Sequence, residues 1–164
     1  MLAVAHKVCI GAALELFAAA DMRYATDDCI FSIREPRMGL AADLGALQRM
    51  PRLCTRNIQL CTELCYTGRD FSGKFAEKQL GFCSAFPDFQ KAKDHAMEIA
   101  REISKLSPVA ITATKRTLTF SREHSESEGL EYVRNLNGAL LQSQDPMIAV
   151  SASITKTKPV FSKL

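Results

Sequence analysis

The sequence has little net charge, no block of basic residues and no long apolar run. Its 164 residues carry a formal charge of +3, with lysine and arginine scattered along the chain. A membrane-spanning helix needs about 20 mainly apolar residues in a row, and a nucleic-acid-binding module usually shows a basic cluster or a recognisable motif. We therefore expect neither a membrane span nor a nucleic-acid partner. We also expect no metal site, because no zinc-ligand spacing is present.

The cysteines do not predict a disulfide framework. They lie inside apolar runs, where a free cysteine behaves as a small apolar residue. The six are Cys9, Cys29, Cys54, Cys61, Cys65 and Cys83. Cys61 and Cys65 are four residues apart on a predicted helix, without a cysteine or histidine partner at metal-ligand spacing. We expect buried thiols, and therefore a reducing compartment.

Strand-like segments come early in the chain and helical patterns come late. With 47% apolar residues, the chain is long enough to bury one hydrophobic core. The predicted strands cover residues 2–10, 21–26, 29–33 and 82–86. The predicted early helices cover residues 11–20, 44–50, 58–65 and 75–80. The predicted late helices cover residues 89–106, 109–121, 125–142 and 145–153. This order predicts an α/β region at 1–88 and a helical region at 89–164 that packs on itself or on a partner subunit.

Two stretches of the first fifty residues could carry chemistry. The strand ending at Ile10 turns through Gly11 into an Ala/Leu-rich helix, whose free N–H groups and positive dipole end are suited to an oxyanion. Glu15 lies about one turn inside that helix, and Glu35 and Asp43 follow in a segment broken by proline and glycine. Three acids beside an anion-stabilising turn suggest proton transfer next to a carbonyl.

The same acids also have a purely structural interpretation. A glutamate in a first helical turn is often only favoured by the helix dipole. Asp43 stands where an N-cap would be for the helix predicted at 44–50. Spacing alone does not separate these structural roles from catalytic ones.

The last three residues form a targeting motif. The chain ends in Ser162-Lys163-Leu164, and a terminal S-K-L is an address read by a peroxisomal import receptor. We expect that receptor as a partner and a peroxisome or related microbody as the location, with the mitochondrion as the alternative.

Several motifs together resemble one enzyme family. Their order along the chain is similar to that of the crotonase (enoyl-CoA hydratase/isomerase) superfamily, and most of all to its Δ3,5-Δ2,4-dienoyl-CoA isomerases. The motifs are Cys9-Ile10-Gly11, Gly39-Leu40-Ala41-Ala42-Asp43, Lys105-Leu106-Ser107-Pro108-Val109-Ala110, Ser121-Arg122-Glu123-His124-Ser125 and the C-terminal tail. The resemblance covers essentially the whole chain.

The resemblance implies a fold and an assembly. It implies the C-terminal part of a crotonase-like ββα spiral core, followed by a C-terminal helical region that takes part in oligomerisation. Trimers or dimers of trimers are typical of the family. Family domains also have a further N-terminal segment with several strands and the first oxyanion N–H. We therefore expect the 164 residues to be the latter part of a larger domain, and to be poorly soluble and inactive when expressed alone.

The resemblance also assigns site residues. The family's second oxyanion N–H falls on Ala12, in a Gly11-Ala12-Ala13 stretch where three glycines are usual. Its acids fall on Glu15, Glu35 and Asp43, and Asp43 stands where ordinary hydratases have glycine. The substrate would be an acyl-CoA thioester, so coenzyme A is part of the substrate and no separate cofactor is expected.

Three functions follow from the resemblance. The first is isomerisation of 3,5-dienoyl-CoA to 2,4-dienoyl-CoA in fatty-acid β-oxidation, with Glu35 as the base and Asp43 as the acid. The second is hydration of enoyl-CoA, in which Glu15 and Glu35 would orient one water. The third is a truncated, inactive subunit that contributes only to assembly.

Overall fold

The computed structural model describes residues 1–162. The chain divides into two compact units, of which the first covers residues 1–98 and the second begins at Ile99. Of the targeting motif, Ser162 is described and exposed, and residues 163 and 164 lie outside the described residues. No described helix is long and apolar enough to cross a membrane.

The first unit contains two small sheets. One has the strand order β1-β3-β6, with all neighbours parallel. The other has the order β2-β4-β5, in which β2 and β4 are parallel and β4 and β5 antiparallel. The strands are β1 Leu2–Ala5, β2 Val8–Ile10, β3 Met22–Thr26, β4 Ile30–Ser32, β5 Phe71–Ser72 and β6 Ser84–Phe86.

The prediction of a single strand at residues 2–10 is wrong in one respect. It is split at His6-Lys7, and its two parts belong to different sheets. Lys7 adopts a left-handed φ of 59°, a conformation that breaks a strand and that most residues avoid. The turn separates β1 from β2, so that β1 pairs with β3 and β2 pairs with β4.

The helices of the first unit mostly follow the predicted order. They are α1 Ala12–Ala18, α2 Ala46–Leu53, α3 Ile58–Thr67, the short α4 Gly73–Phe75 and α5 Phe89–Ile103, which continues into the second unit. Helix α4 runs on as a π-helical turn over Ala76–Leu80 that ends at the left-handed Gly81. The helix predicted at 44–50 continues past Pro51 to Leu53, and the N–H of Cys54 closes its last turn on the carbonyl of Met50 at 2.8 Å.

Aromatic side chains form the centre of the first unit. Phe31 and Phe82 are fully buried, and the Phe31 ring centroid lies 5.3 Å from Phe17, 5.6 Å from Phe71 and 6.0 Å from Phe82. Burying a side chain of this size contributes about 2–3 kcal/mol. The cluster packs helix α1 against both β4 and the segment before β6, and so fixes the start of α1 relative to the end of β4.

The cysteines are free thiols, as predicted. Five of the six are buried, and Cys83 is half-buried. Burial raises the pKa of Cys9 to about 11 and that of Cys29 to about 12. No group of His, Cys, Asp and Glu in the described part of the chain is arranged to hold a metal ion.

The second unit is helical. After the end of α5 it contains α6 Pro108–Phe120, α7 Glu126–Leu140 and α8 Asp145–Thr155. A capping box begins α7, because Ser125 and Glu128 exchange side-chain and backbone hydrogen bonds. The Phe120 and Tyr132 rings stack with centroids 4.2 Å apart and so join α6 to α7. The Ser107 hydroxyl donates a hydrogen bond to the Asp145 carboxylate and thereby joins the starts of α6 and α8.

Candidate active site

Gly11 makes the turn between β2 and α1. Its φ of 58° and ψ of −128° are accessible mainly to glycine. Its N–H donates to the carbonyl of Ser32 at 3.0 Å, and its own carbonyl accepts the N–H of Glu15 at 3.1 Å. Ala12 is therefore the first residue of α1, where a backbone N–H has no acceptor within the helix. This is the position that the resemblance assigns to an oxyanion donor.

Glu35 lies against this turn. It begins a 3-10 helix, Glu35–Met38, three residues after β4 ends. A Cβ atom added at Gly11 would lie only 3.1 Å from Oε1 of Glu35, so the carboxylate lies close beside the glycine. Oε2 of Glu35 is buried and has no hydrogen-bond partner among the described residues. A desolvated carboxylate oxygen without a donor is costly, so this oxygen is a candidate to meet a group of the substrate.

Asp43 lies on the segment between the 3-10 helix and α2. Its side chain is exposed to solvent. The structural interpretation of Asp43 as the N-cap of the following helix is wrong, because α2 begins at Ala46 and its N-cap is Gly45, with a left-handed φ of 107°. The Asp43 carboxylate is therefore not used to cap a helix.

Glu15 is the most buried of the three acids, with 2% of its surface exposed. Its two carboxylate oxygens each lie 3.1 Å from the N–H of Leu44, and Oε1 also accepts the N–H of Ala46 at 3.0 Å. The side chain thus reaches from α1 to the start of α2. Sequence reasoning gave no sign of these partners, since they are backbone groups about thirty residues away.

These contacts bring the two acid-bearing segments to the same helix. Glu35 contacts the turn that precedes α1, and the residue after Asp43 is hydrogen-bonded to Glu15 within α1. The arrangement places one buried carboxylate oxygen beside the start of α1, and an exposed carboxylate on the segment that Glu15 binds. The proposed roles in catalysis stay predictions for all five candidate residues, Gly11, Ala12, Glu15, Glu35 and Asp43.

The histidines take part in aromatic contacts. The His6 ring lies 4.4 Å from the Phe89 ring, and the His95 ring lies 5.1 Å from both Tyr24 and Phe86. In the second unit, His124 stacks on Phe120 at 3.6 Å. The imidazoles thus contribute to packing within each unit, and the acids remain the candidates for proton transfer.

The family is established by comparison with known proteins. The model of the enoyl-CoA hydratase/isomerase family matches residues 2–163. The chain belongs to this family.

Curated relatives agree with the family assignment. The chain is 41% identical over its full length to the mitochondrial Δ3,5-Δ2,4-dienoyl-CoA isomerase of Pongo abelii, of which it covers 51%. It is 42% identical to the peroxisomal Δ3,5-Δ2,4-dienoyl-CoA isomerase of Arabidopsis thaliana, of which it covers 58%. The chain therefore spans little more than half the length of these relatives.

Solved structures confirm the crotonase-like α/β fold. A probable enoyl-CoA hydratase/isomerase from Mycobacterium abscessus superposes with a TM-score of 0.86 at 29% identity, over 94% of this chain and 60% of that one. An enoyl-CoA hydratase from Mycobacterium marinum gives a TM-score of 0.87 at 28% identity, over 95% of this chain and 63% of that one. The predicted fold class is confirmed.

Proposed function

We propose that the chain carries the acid–base part of an isomerase site that converts 3,5-dienoyl-CoA to 2,4-dienoyl-CoA. The observation that carries the proposal is the Glu35 carboxylate, which lies against Gly11 with one buried oxygen that has no partner among the described residues. A base in that position lies beside the helix start that would hold a thioester oxygen. The names of the relatives support the same reaction.

The proposed chemistry needs two proton transfers on one extended substrate. Glu35 removes a proton from C2, and the electron pair spreads over C4, C6 and the thioester oxygen. The N–H of Ala12 donates a hydrogen bond to that oxygen, and one such donor typically contributes about 3 kcal/mol to the transition state. Asp43 delivers a proton to C6, which leaves the two double bonds at C2 and C4. The exposed position of Asp43 suits a group that meets the far end of an acyl chain.

Hydration is the alternative reaction, and one contact argues against it. A hydratase mechanism would use Glu15 and Glu35 together to orient one water. Both oxygens of Glu15 are already engaged by the N–H groups of Leu44 and Ala46, in a site that is 2% exposed. Glu15 is thus enclosed and held by the backbone, whereas Glu35 keeps one buried oxygen without a partner among the described residues. This favours isomerisation.

Self-association is proposed from the second unit. Its helices expose large apolar side chains, which soluble proteins usually cover with a partner surface. They are Leu118, Leu130, Leu141, Met147, Val150 and Ile154. A homo-oligomer would bury them, as trimers or dimers of trimers do by family resemblance. An inactive subunit that contributes only to such an assembly is the alternative function, and turnover separates the two.

Location is proposed from the sequence of the tail. The Arabidopsis relative is named as peroxisomal and the Pongo relative as mitochondrial. The terminal Ser162-Lys163-Leu164 favours the peroxisome, where an import receptor would be a partner. The substrate on this proposal is an acyl-CoA of fatty-acid β-oxidation.

A comparison of two substrates tests the proposed reaction. A purified form that also supplies the family's first oxyanion N–H is assayed with 3,5-dienoyl-CoA, whose conversion creates a conjugated ultraviolet chromophore, and with 2-enoyl-CoA, whose hydration removes one. We expect isomerisation to exceed hydration, and Asp43→Asn to lower isomerisation by about 10²-fold or more, the range for loss of a general acid or base. Asp94→Asn on α5 is a control that should leave the rate unchanged.

Three outcomes would contradict the proposal. Faster hydration than isomerisation, with Asp43→Asn harmless, would establish the hydratase alternative. An isomerase whose rate does not respond to Asp43→Asn would remove the acid from the mechanism. No turnover of either substrate by a folded, oligomeric protein would support the assembly subunit.

A further inference from the structure

Helix α2 receives its N-terminal cap from a different helix. The first N–H groups of any α-helix lack partners within the helix, and a serine, threonine, aspartate or asparagine at the N-cap usually accepts from them. The N-cap of α2 is Gly45, which has no side chain to offer. Glu15 of α1 supplies the missing acceptor, since its carboxylate binds the N–H of Ala46 at 3.0 Å and that of Leu44 at 3.1 Å. A negative charge at this end also matches the helix dipole.

This contact fixes the backbone next to Asp43. Leu44 follows Asp43 directly, and the N–H that Glu15 holds belongs to the peptide bond between them. The Asp43 side chain itself is exposed. The place of Asp43 relative to α1 therefore depends on the backbone of residues 43–46, and Glu15 attaches that backbone to α1.

We propose that Glu15 is a positioning residue, which holds the segment 43–46 against α1 while Glu35 and Asp43 transfer the protons. The inference rests on the proposed function for the part played by Asp43. It assigns Glu15 a role that does not require it to gain or lose a proton during turnover. A residue with 2% exposure and three contacts to backbone N–H groups is well suited to holding a segment and poorly suited to exchanging protons with a substrate.

Hydrogen exchange of two amides tests the contact without requiring turnover. In the full chain, Glu15→Ala removes the acceptor of the Leu44 and Ala46 amides, so we expect both to exchange about tenfold faster or more. Glu15→Gln keeps one acceptor oxygen and should retain part of the protection, and it serves if Glu15→Ala fails to fold. Unchanged exchange at both amides in either folded variant would overturn the inference.

A second carboxylate provides the matched control. Oε1 of Glu77 accepts the N–H of Ala85 at 3.1 Å, which is the same kind of bond between other elements of the first unit. Glu77→Gln should therefore leave the Leu44 and Ala46 amides unchanged and alter exchange only around Ala85. Faster exchange at all of these amides in Glu77→Gln would show a general loosening of the fold.

The kinetics of an active form separate positioning from proton transfer. We expect Glu15→Gln to lower kcat by less than about tenfold and to keep both limbs of the pH–rate profile, against a loss of about 10²-fold for Asp43→Asn. Loss of one limb in Glu15→Gln, with normal amide protection, would identify Glu15 as a proton-transfer group and overturn the inference. A parent protein without isomerase activity would count against the proposed function, and the exchange experiment would then decide the role of Glu15 by itself.

Discussion

Replacing Gly11 by alanine perturbs both the turn and the acid beside it. Alanine at a φ of 58° and ψ of −128° is strained by about 1–3 kcal/mol. The new Cβ would also lie 3.1 Å from Oε1 of Glu35, so the carboxylate must move by a few tenths of an ångström. We expect Gly11→Ala to lower the free energy of unfolding by about 2–3 kcal/mol and to lower turnover by displacing Glu35.

A second glycine and a double-mutant cycle separate these two effects. Gly39 also has a positive φ, 76°, but a Cβ there would meet nothing within 4 Å. Gly39→Ala should therefore show backbone strain alone, about 1–2 kcal/mol. In a Glu35→Ala background, Gly11→Ala should cost about 0.5 kcal/mol less than in the parent, because the crowded carboxylate is gone. Urea unfolding measures Gly39→Ala and the four proteins of the cycle, and a coupling energy of zero would refute the predicted crowding of Glu35 by the new Cβ.

Two further predictions concern pH and location. Burial raises the pKa of Cys29 from 9.0 to about 12, so its contribution to stability is complete below pH 9 and is lost as the pH rises from 9 toward 12. Cys29→Ala should flatten the loss of unfolding free energy above pH 9 by up to about 1.4 kcal/mol per pH unit, and urea unfolding that shows the same slope in both proteins would contradict this. A fusion that exposes the natural C-terminus should enter peroxisomes, and deleting Ser162-Lys163-Leu164 should leave it cytosolic by fluorescence microscopy; unchanged import would rule out the tail as the signal.

Features with local causes could be predicted from the sequence. The helices predicted at 109–121 and 125–142 begin within one residue of the observed starts of α6 and α7, because the signals for a helix start lie within one helical turn. The turn at Gly11 could be predicted for the same reason, since a glycine between a strand and an Ala/Leu-rich run usually marks the turn from strand to helix. The family resemblance added the fold, which local patterns alone did not determine.

Features with distant causes could not be predicted. The break at Lys7 depends on which strands β1 and β2 pair with, and those partners begin at residues 22 and 30. The interpretation of Asp43 as an N-cap is wrong because the acceptor at the start of α2 comes from Glu15, in another helix. The buried, unpartnered oxygen of Glu35 also depends on tertiary packing against Gly11. The geometry of the candidate site is thus largely a property of the fold.

The strand order of the first sheet has a consequence for the rate of folding. Strand β3 lies between β1 and β6, and its register pairs Tyr24 with Ser84 across most of the first unit. Pairing of this kind must first overcome the entropy of closing a long loop, whereas helices α6 and α7 meet through neighbouring stretches of chain. Pairing of β6 with β3 closes the longest loop in this sheet, so we expect it to be the slowest step in forming the sheet. Until β6 pairs, β3 has an unpaired edge that can pair with another chain. The longer this state lasts, the more the newly made chain can aggregate.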